Sequence, residues 1–219
     1  RLLVGQGWGQ GPQHSQSLQT LFAHIPGLKV VMPFSPYDAK GLLIASVKDN
    51  NPVIFIEHRW LHNLFGEVPE DSYQVPIGKA RIARKGKDLT IVSVSYMLVE
   101  ALKAADCLKK DGIDVEVVDI RSLKPLDEET IIQSVINTGH LIVVDGAWRF
   151  LSISAEIISI VVENAFKNLK KPPCRVTFPD VPTPTSWAMA NNFYPRAINI
   201  LNKVEELLDL PKKSEKEWG

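Results

Sequence analysis

Leu28-Lys-Val-Val-Met-Pro33, then Ser35-Pro-Tyr-Asp-Ala-Lys-Gly-Leu-Leu-Ile-Ala-Ser-Val-Lys48, then Asp49-Asn-Asn-Pro-Val-Ile-Phe-Ile56 follow one another in a 219-residue chain. The first piece is an apolar run stopped by a proline, which reads as a short buried strand. In the second, Ser35 stands at a cap position with Pro36 in the first turn, and Ala39, Leu42, Leu43 and Val47 fall on one helical face. The third is a turn followed by another apolar run. Strand, helix and strand, with both strands mostly apolar, is the pattern of a parallel sheet covered by helices.

Outward from this unit the pattern repeats. On its N-terminal side Ser15 caps a helix with Leu18, Leu21, Phe22 and Ile25 as apolar positions, ended by Pro26-Gly27. On its C-terminal side the stretch from about Glu57 to Lys87 holds Gly66, Pro69, Pro76 and Gly78 and reads as a linker. A second α/β series follows: strands at Asp88–Val94, Asp114–Val118 and His140–Val144, and helices at Met97–Lys110, Asp127–Ile136 and Ser154–Leu169. Arg175–Phe178 reads as an edge strand and Pro179–Thr185 as an extended loop. Tyr194-Pro195 opens a last helix, and the charged tail beyond Pro211 is expected to fray. The expected organisation is residues 1–65, a linker at 66–87, a second domain at 88–210 and a flexible tail at 211–219.

Lys plus Arg and Asp plus Glu each number 25, so the formal net charge is zero, which removes the electrostatic case for nucleic acid or an anionic membrane. Hydrophobic residues are 45%, enough for an ordinary core. No apolar run reaches the roughly 18 residues of a membrane span. Cys107 and Cys174 match no metal spacing and read as free thiols in a reducing compartment. The chain opens on Arg1 rather than Met and shows no signal peptide, so it reads as a processed chain or a piece of a longer one.

The chemistry concentrates in Gly5-Gln-Gly-Trp-Gly-Gln-Gly-Pro-Gln-His-Ser-Gln16. Four alternating glycines favour neither helix nor strand and permit close backbone approach. The loop is either a cradle for a phosphate or a tightly turned surface loop. Both nucleotide spacings fail: Gln10 stands where a dinucleotide fingerprint needs glycine, and no Gly-Lys-Ser or Gly-Lys-Thr follows. His14, at the loop exit, is either a helix-start residue bonding its own turn or a proton-handling group, with Gln13, Ser15 and Gln16 to orient it. His58 and His62 are four apart, but Arg59 stands between them and no third zinc ligand is near. Ser95 lacks the elbow glycines of a hydrolase nucleophile. Asp49-Asn-Asn-Pro52 is a turn whose oxygens also suit a hard cation.

Gly11-Pro-Gln-His-Ser-Gln16, His24–Val31, Asp38–Leu42, Asp49–Glu57, Val117–Leu126 and Val181–Pro184 together resemble the β subunit of thiamine-diphosphate-dependent 2-oxoacid dehydrogenases. These are the E1 components for pyruvate, branched-chain 2-oxoacids or acetoin. The resemblance implies the C-terminal part of a transketolase-like pyrimidine-binding domain, then a transketolase C-terminal domain with a mostly parallel sheet. It implies that His14 is the catalytic histidine, beside the thiazolium end of the cofactor, acting as acyl groups pass to the lipoyl arm of E2. It places a potassium site at Ser46, Asp49 and Asn51. Thiamine diphosphate and Mg2+ belong to the intact α–β enzyme. No residue here matches the glutamate that activates the cofactor, so this chain alone is expected to be inactive and to hold no cofactor. The implied partners are the E1 α subunit, a second β subunit and the E2 lipoyl acyltransferase, in bacterial cytoplasm rather than the mitochondrial matrix. A split transketolase-type transferase and a non-catalytic assembly module are the alternatives. One departure stands out: Phe150-Leu-Ser152 replaces a Thr-Gly-Gly-like run after Trp148.

Overall fold

A computed structural model describes residues 1–218 of the chain. In chain order its elements are β1 (Leu2–Val4), α1 (Gln19–His24), β2 (Lys29–Val31), α2 (Pro36–Lys48), β3 (Val53–His58), a short 3-10 turn (Arg59–Asn63), β4 (Arg81–Arg84) and β5 (Leu89–Ser93). Then come α3 (Met97–Lys110), β6 (Val115–Asp119), β7 (Ser122–Lys124), α4 (Glu128–Thr138), β8 (Leu141–Trp148) and α5 (Ile153–Ala165). A second 3-10 turn (Phe166–Asn168), β9 (Cys174–Phe178), α6 (Trp187–Phe193), α7 (Ala197–Leu208) and α8 (Glu215–Trp218) complete the order.

Two sheets form, in the orders β1-β3-β2-β7 and β4-β6-β5-β8-β9. The strand–helix–strand read at residues 28–56 is present: β2 runs parallel to β3, with Lys29 opposite Val53 and Val31 opposite Phe55. Ser35 caps α2 by accepting the Asp38 amide at 3.1 Å. The buried face of α2 is Asp38, Gly41, Leu42 and Ala45, whereas Val47 points to solvent.

The larger sheet is buried on both faces, as a parallel sheet requires. Alternation along the strands divides the side chains. Leu89, Ile91, Val115, Val117, Ile142 and Val144 pack with α3 and α7. Val92, Val118, Leu141 and Val143 pack with α4 and α5. The edge position read for Arg175–Phe178 is where β9 lies.

The stretch 66–87, read as a bare linker, carries structure of its own. β4 adds to the second sheet, antiparallel to β6. Val75 is buried, so close to Gly41 that a Cβ there would meet it at 2.5 Å. Tyr73 stacks on Tyr37 at 4.5 Å and donates its hydroxyl to the Tyr37 carbonyl at 2.8 Å.

The two α/β units share one core. After β6, Arg121 takes a left-handed φ of 52° and turns the chain back, so that β7 pairs antiparallel with β2 in the first sheet. Val4, Val30, Met32 and Ile56 of the first unit then join Val118, Ile120 and Leu123 in a continuous cluster. Between the units lies a buried charge network. Arg121 donates to Asp38 at 3.1 Å and to the carbonyls of Lys79 and Ala80, while Arg81 lies 3.5 Å from both Asp38 and Asp119. Burial, reinforced by the Asp38 carboxylate, pushes the Asp119 carboxyl up to about 7.

One local expectation is corrected. Ser15 does not cap α1; its hydroxyl bonds back to the Gln10 carbonyl at 3.0 Å, and α1 starts after Leu18 with no side-chain cap. The described part of the tail folds back on α7. Trp218 is buried and donates from Nε1 to Glu205 at 3.1 Å, and Glu205 also accepts the Lys213 amide at 2.8 Å. Gly219, the last residue of that expected tail, lies outside the described residues.

Candidate functional site

The glycine loop follows β1 and returns to α1, and Gly5, Gly9 and Gly11 each have a local cause. Gly5 has φ +83°, and a Cβ there would meet the His58 ring at 2.5 Å. A Cβ at Gly11 would meet the Thr185 hydroxyl at 2.4 Å, and Gly9 has φ +71° against the same residue. The close approach that the glycines permit is therefore to the chain's own Pro179–Thr185 loop. Gln6, fully buried, donates its amide to the carbonyls of Pro184 and Thr185 at 2.9 and 3.2 Å. The glycine loop is thereby tied to the Pro179–Thr185 loop.

Arg59 provides the clamp. One guanidinium nitrogen donates to the Gly5 carbonyl at 2.6 Å and to the His14 carbonyl at 2.8 Å. Trp60 adds an indole bond to the Gln6 carbonyl at 2.8 Å. His58 is buried and stacked on Tyr96 at 4.9 Å, and its Nδ1 accepts the Trp60 amide at 3.2 Å. Burial, with the nearby positive groups, drives its pKa down to about 3, so it stays neutral. His62 is exposed and the pair does not converge on a metal. Around them Trp60, Tyr96 and Tyr194 form an aromatic wedge, with the Arg196 guanidinium 4.8 Å above the Trp60 ring.

On this frame His14 is exposed, as are Gln13 and Gln16. Its backbone is fixed by Arg59 while its imidazole faces solvent, free to meet a molecule or surface brought to the loop. Beside it Trp8 stands 93% exposed, with φ +35°.

Directly after the loop, Gln19 enters the second unit. Its amide donates to Asp145 at 3.4 Å and to the Gly146 carbonyl at 3.3 Å. This is the carboxyl end of β8 beside β5, where the strand order of the second sheet reverses and doubly wound sheets often hold ligands. Here a side chain of the first unit occupies that crevice. Burial pushes the Asp145 carboxyl up to about 6.

Ser46, Asp49 and Asn51 do not fit a potassium ion as folded. The Ser46 hydroxyl donates to the Leu42 carbonyl at 2.7 Å. One Asp49 oxygen pairs with the Lys29 ammonium and the other accepts both nitrogens of Asn51 at 2.9 Å. The Lys29 bond holds the Asp49 carboxyl down at about 2. A lysine ammonium already neutralises the carboxylate a cation would need.

Arg59, Trp60, Gln6 and the Asp145–Gln19 contact escape sequence reasoning, because each joins segments far apart in the chain. The one available signal was the joint presence of the glycine loop and Val181–Pro184, two motifs that pack together here.

Residues 3–63 match the transketolase pyrimidine-binding domain, and residues 78–200, more than half of the chain, match the transketolase C-terminal domain. The chain is 48% identical over 200 residues to the β subunit of acetoin:2,6-dichlorophenolindophenol oxidoreductase from Cupriavidus necator, covering 91% of this chain and 59% of that protein. It is 45% identical over 197 residues to the pyruvate dehydrogenase E1 component subunit β of Bacillus subtilis, covering 90% of this chain and 60% of that protein. It thus spans about 60% of the length of these curated relatives. A solved chain described as a split-gene transketolase, inactive β4 tetramer, superposes with a TM-score of 0.73 at 24% identity, over 92% of this chain and 64% of that one. That likeness bears on the fold. The chain belongs to the transketolase family, with a pyrimidine-binding segment followed by a transketolase C-terminal domain.

Proposed function

We propose that this chain is the part of a 2-oxoacid or acetoin dehydrogenase E1 β subunit that presents His14 to a thiamine-diphosphate site completed by other parts of the assembly. The carrying observation is a solvent-facing imidazole on a loop clamped at both ends by Arg59. Identities of 45–48% to β subunits of that kind support the reading. When bound, thiamine diphosphate supplies the carbon–carbon bond cleavage. His14 donates or accepts a proton at its exposed ring, and Gln13 and Gln16 offer neutral hydrogen bonds beside it.

The fit to the cofactor is partial. Among the described residues no three His, Cys, Asp or Glu side chains come together to hold a metal ion. In this reading magnesium and the diphosphate take their ligands from the α subunit, which with a second β subunit and a lipoyl E2 makes up the proposed assembly. Among the described residues no helix is long and apolar enough to cross a membrane, and the relatives named above are bacterial, which supports a place in bacterial cytoplasm.

Two measurements test this reading. The 219-residue chain alone, titrated with thiamine diphosphate in a calorimeter, is expected to show no tight binding; micromolar affinity contradicts the divided site. The assembled enzyme, given pyruvate, branched-chain 2-oxoacids or acetoin in turn, is expected to acylate a lipoyl domain with at least one. A ketol transfer to an aldose acceptor instead would establish the transketolase alternative.

A further inference from the structure

Of the eight arginines, five pair with carboxylates: Arg1 with Glu57, Arg81 with Asp38 and Asp119, Arg84 with Asp106, Arg121 with Asp38, and Arg196 with Glu100. Arg59 is spent on the His14 loop. The remaining two, Arg149 and Arg175, have no carboxylate within ion-pair distance among the described residues, and they lie together. Arg175 donates to the Arg149 carbonyl at 3.0 Å. Burial and the Arg149 charge both lower the pKa of Arg175, so the fold holds a half-buried guanidinium against a like charge.

Both line a groove along the free edge of β9, between α5 and α7. It consists of two contiguous hollows of about 340 and 410 Å3 that share Arg149, Arg175 and Lys203. The three cations come from three elements: the end of β8, strand β9 and helix α7. Asn199 and Asn202 on α7 add amides, and Phe178 and Phe193 lie on the wall of the larger hollow. One carboxylate, Glu206, also lines it and pairs with Lys203. Counting Glu206, the groove carries a net charge of about +2 in a chain whose formal charge is zero.

We propose that this groove binds a phosphate dianion, free or as a monoester. A carboxylate offers one charge and two oxygens in a plane. A tetrahedral dianion meets donors arriving from three elements and neutralises both unpaired guanidiniums. None of the residues that hold the His14 loop lines the groove, so the site is independent of the thiamine reading.

Calorimetry on the full chain at constant ionic strength, with inorganic phosphate, phenyl phosphate and chloride as probes, tests this. Saturable binding of phosphate or phenyl phosphate but not chloride is expected, weakened at least about tenfold by Arg149→Gln. Arg149 is exposed, so that variant leaves folding intact. Arg175→Gln should act in the same direction. Tighter binding of phenyl phosphate identifies a monoester; equal binding identifies free phosphate. Arg1→Gln, at the far Glu57 pair, should change nothing. No saturable binding, equal binding in Arg149→Gln, or capture of an acidic protein segment without phosphate binding would each overturn the proposal.

Discussion

His58 and His14 show how one residue type takes opposite roles. His58 is stacked, desolvated and close to Arg59, so its ring stays neutral and fills the space that Gly5 leaves. Its pKa of about 3 lies far below the ordinary 6.5. Between those values the unfolded chain takes up a proton that the folded chain refuses. The contribution of His58 to stability is therefore intact above pH 6.5 and declines as the pH falls toward 3. Proton NMR of the His58 ring should show no titration between pH 8 and about 4.5; a midpoint near 6.5 would contradict its burial. The sequence singled out His14 through the glycines before it and the motif around it. It was silent on Arg59, whose two carbonyl partners lie 54 and 45 residues away in the chain.

Among the elements, those with strong periodicity were legible: α2 with its Ser35 cap, α3, α4 behind Asp127, and the apolar strands of the second sheet. Short or long-range elements were not. β7 has three residues and no alternation to read, and β4 lies in a mixed-charge stretch whose strand character comes from pairing with β6. The entry to α5 carries a cost that the sequence did flag. Leu151 sits at φ +51° and 73% exposed, within the Phe150–Ser152 run where the resemblance implies a Thr-Gly-Gly-like sequence. A left-handed leucine costs roughly 1 kcal/mol and its exposed side chain returns little. Leu151→Gly is expected to raise the unfolding free energy by about 0.5–1 kcal/mol in urea denaturation. A loss of stability would mean that the leucine packs in a way its exposure does not show.

At the scale of the molecule the two units behave as one body. β7 completes the first sheet, Gln19 occupies the crevice of the second, and Asp38–Arg121 ties them through a pair almost without solvent access. Removing one partner of a buried pair leaves an uncompensated charge. Arg121→Ala is expected to lower stability by about 3 kcal/mol, and hydrogen exchange should quicken together in β2 of the first sheet and β6 of the second. Faster exchange in one sheet alone would show that the units open independently. Periodicity divided the chain into two α/β units because each has its own strands and helices. It could not show the shared core, which depends on three residues of β7 and one arginine turn. The same architecture brings Thr185 against Gly9 and Gly11 of the loop that leads to His14. The most direct test is His14→Ala in the assembled enzyme. The thermal midpoint should be unchanged, since the side chain is exposed, while acylation of the lipoyl domain should fall at least about a hundredfold. Turnover equal to wild type would contradict the role of His14 and, with it, the account of the loop.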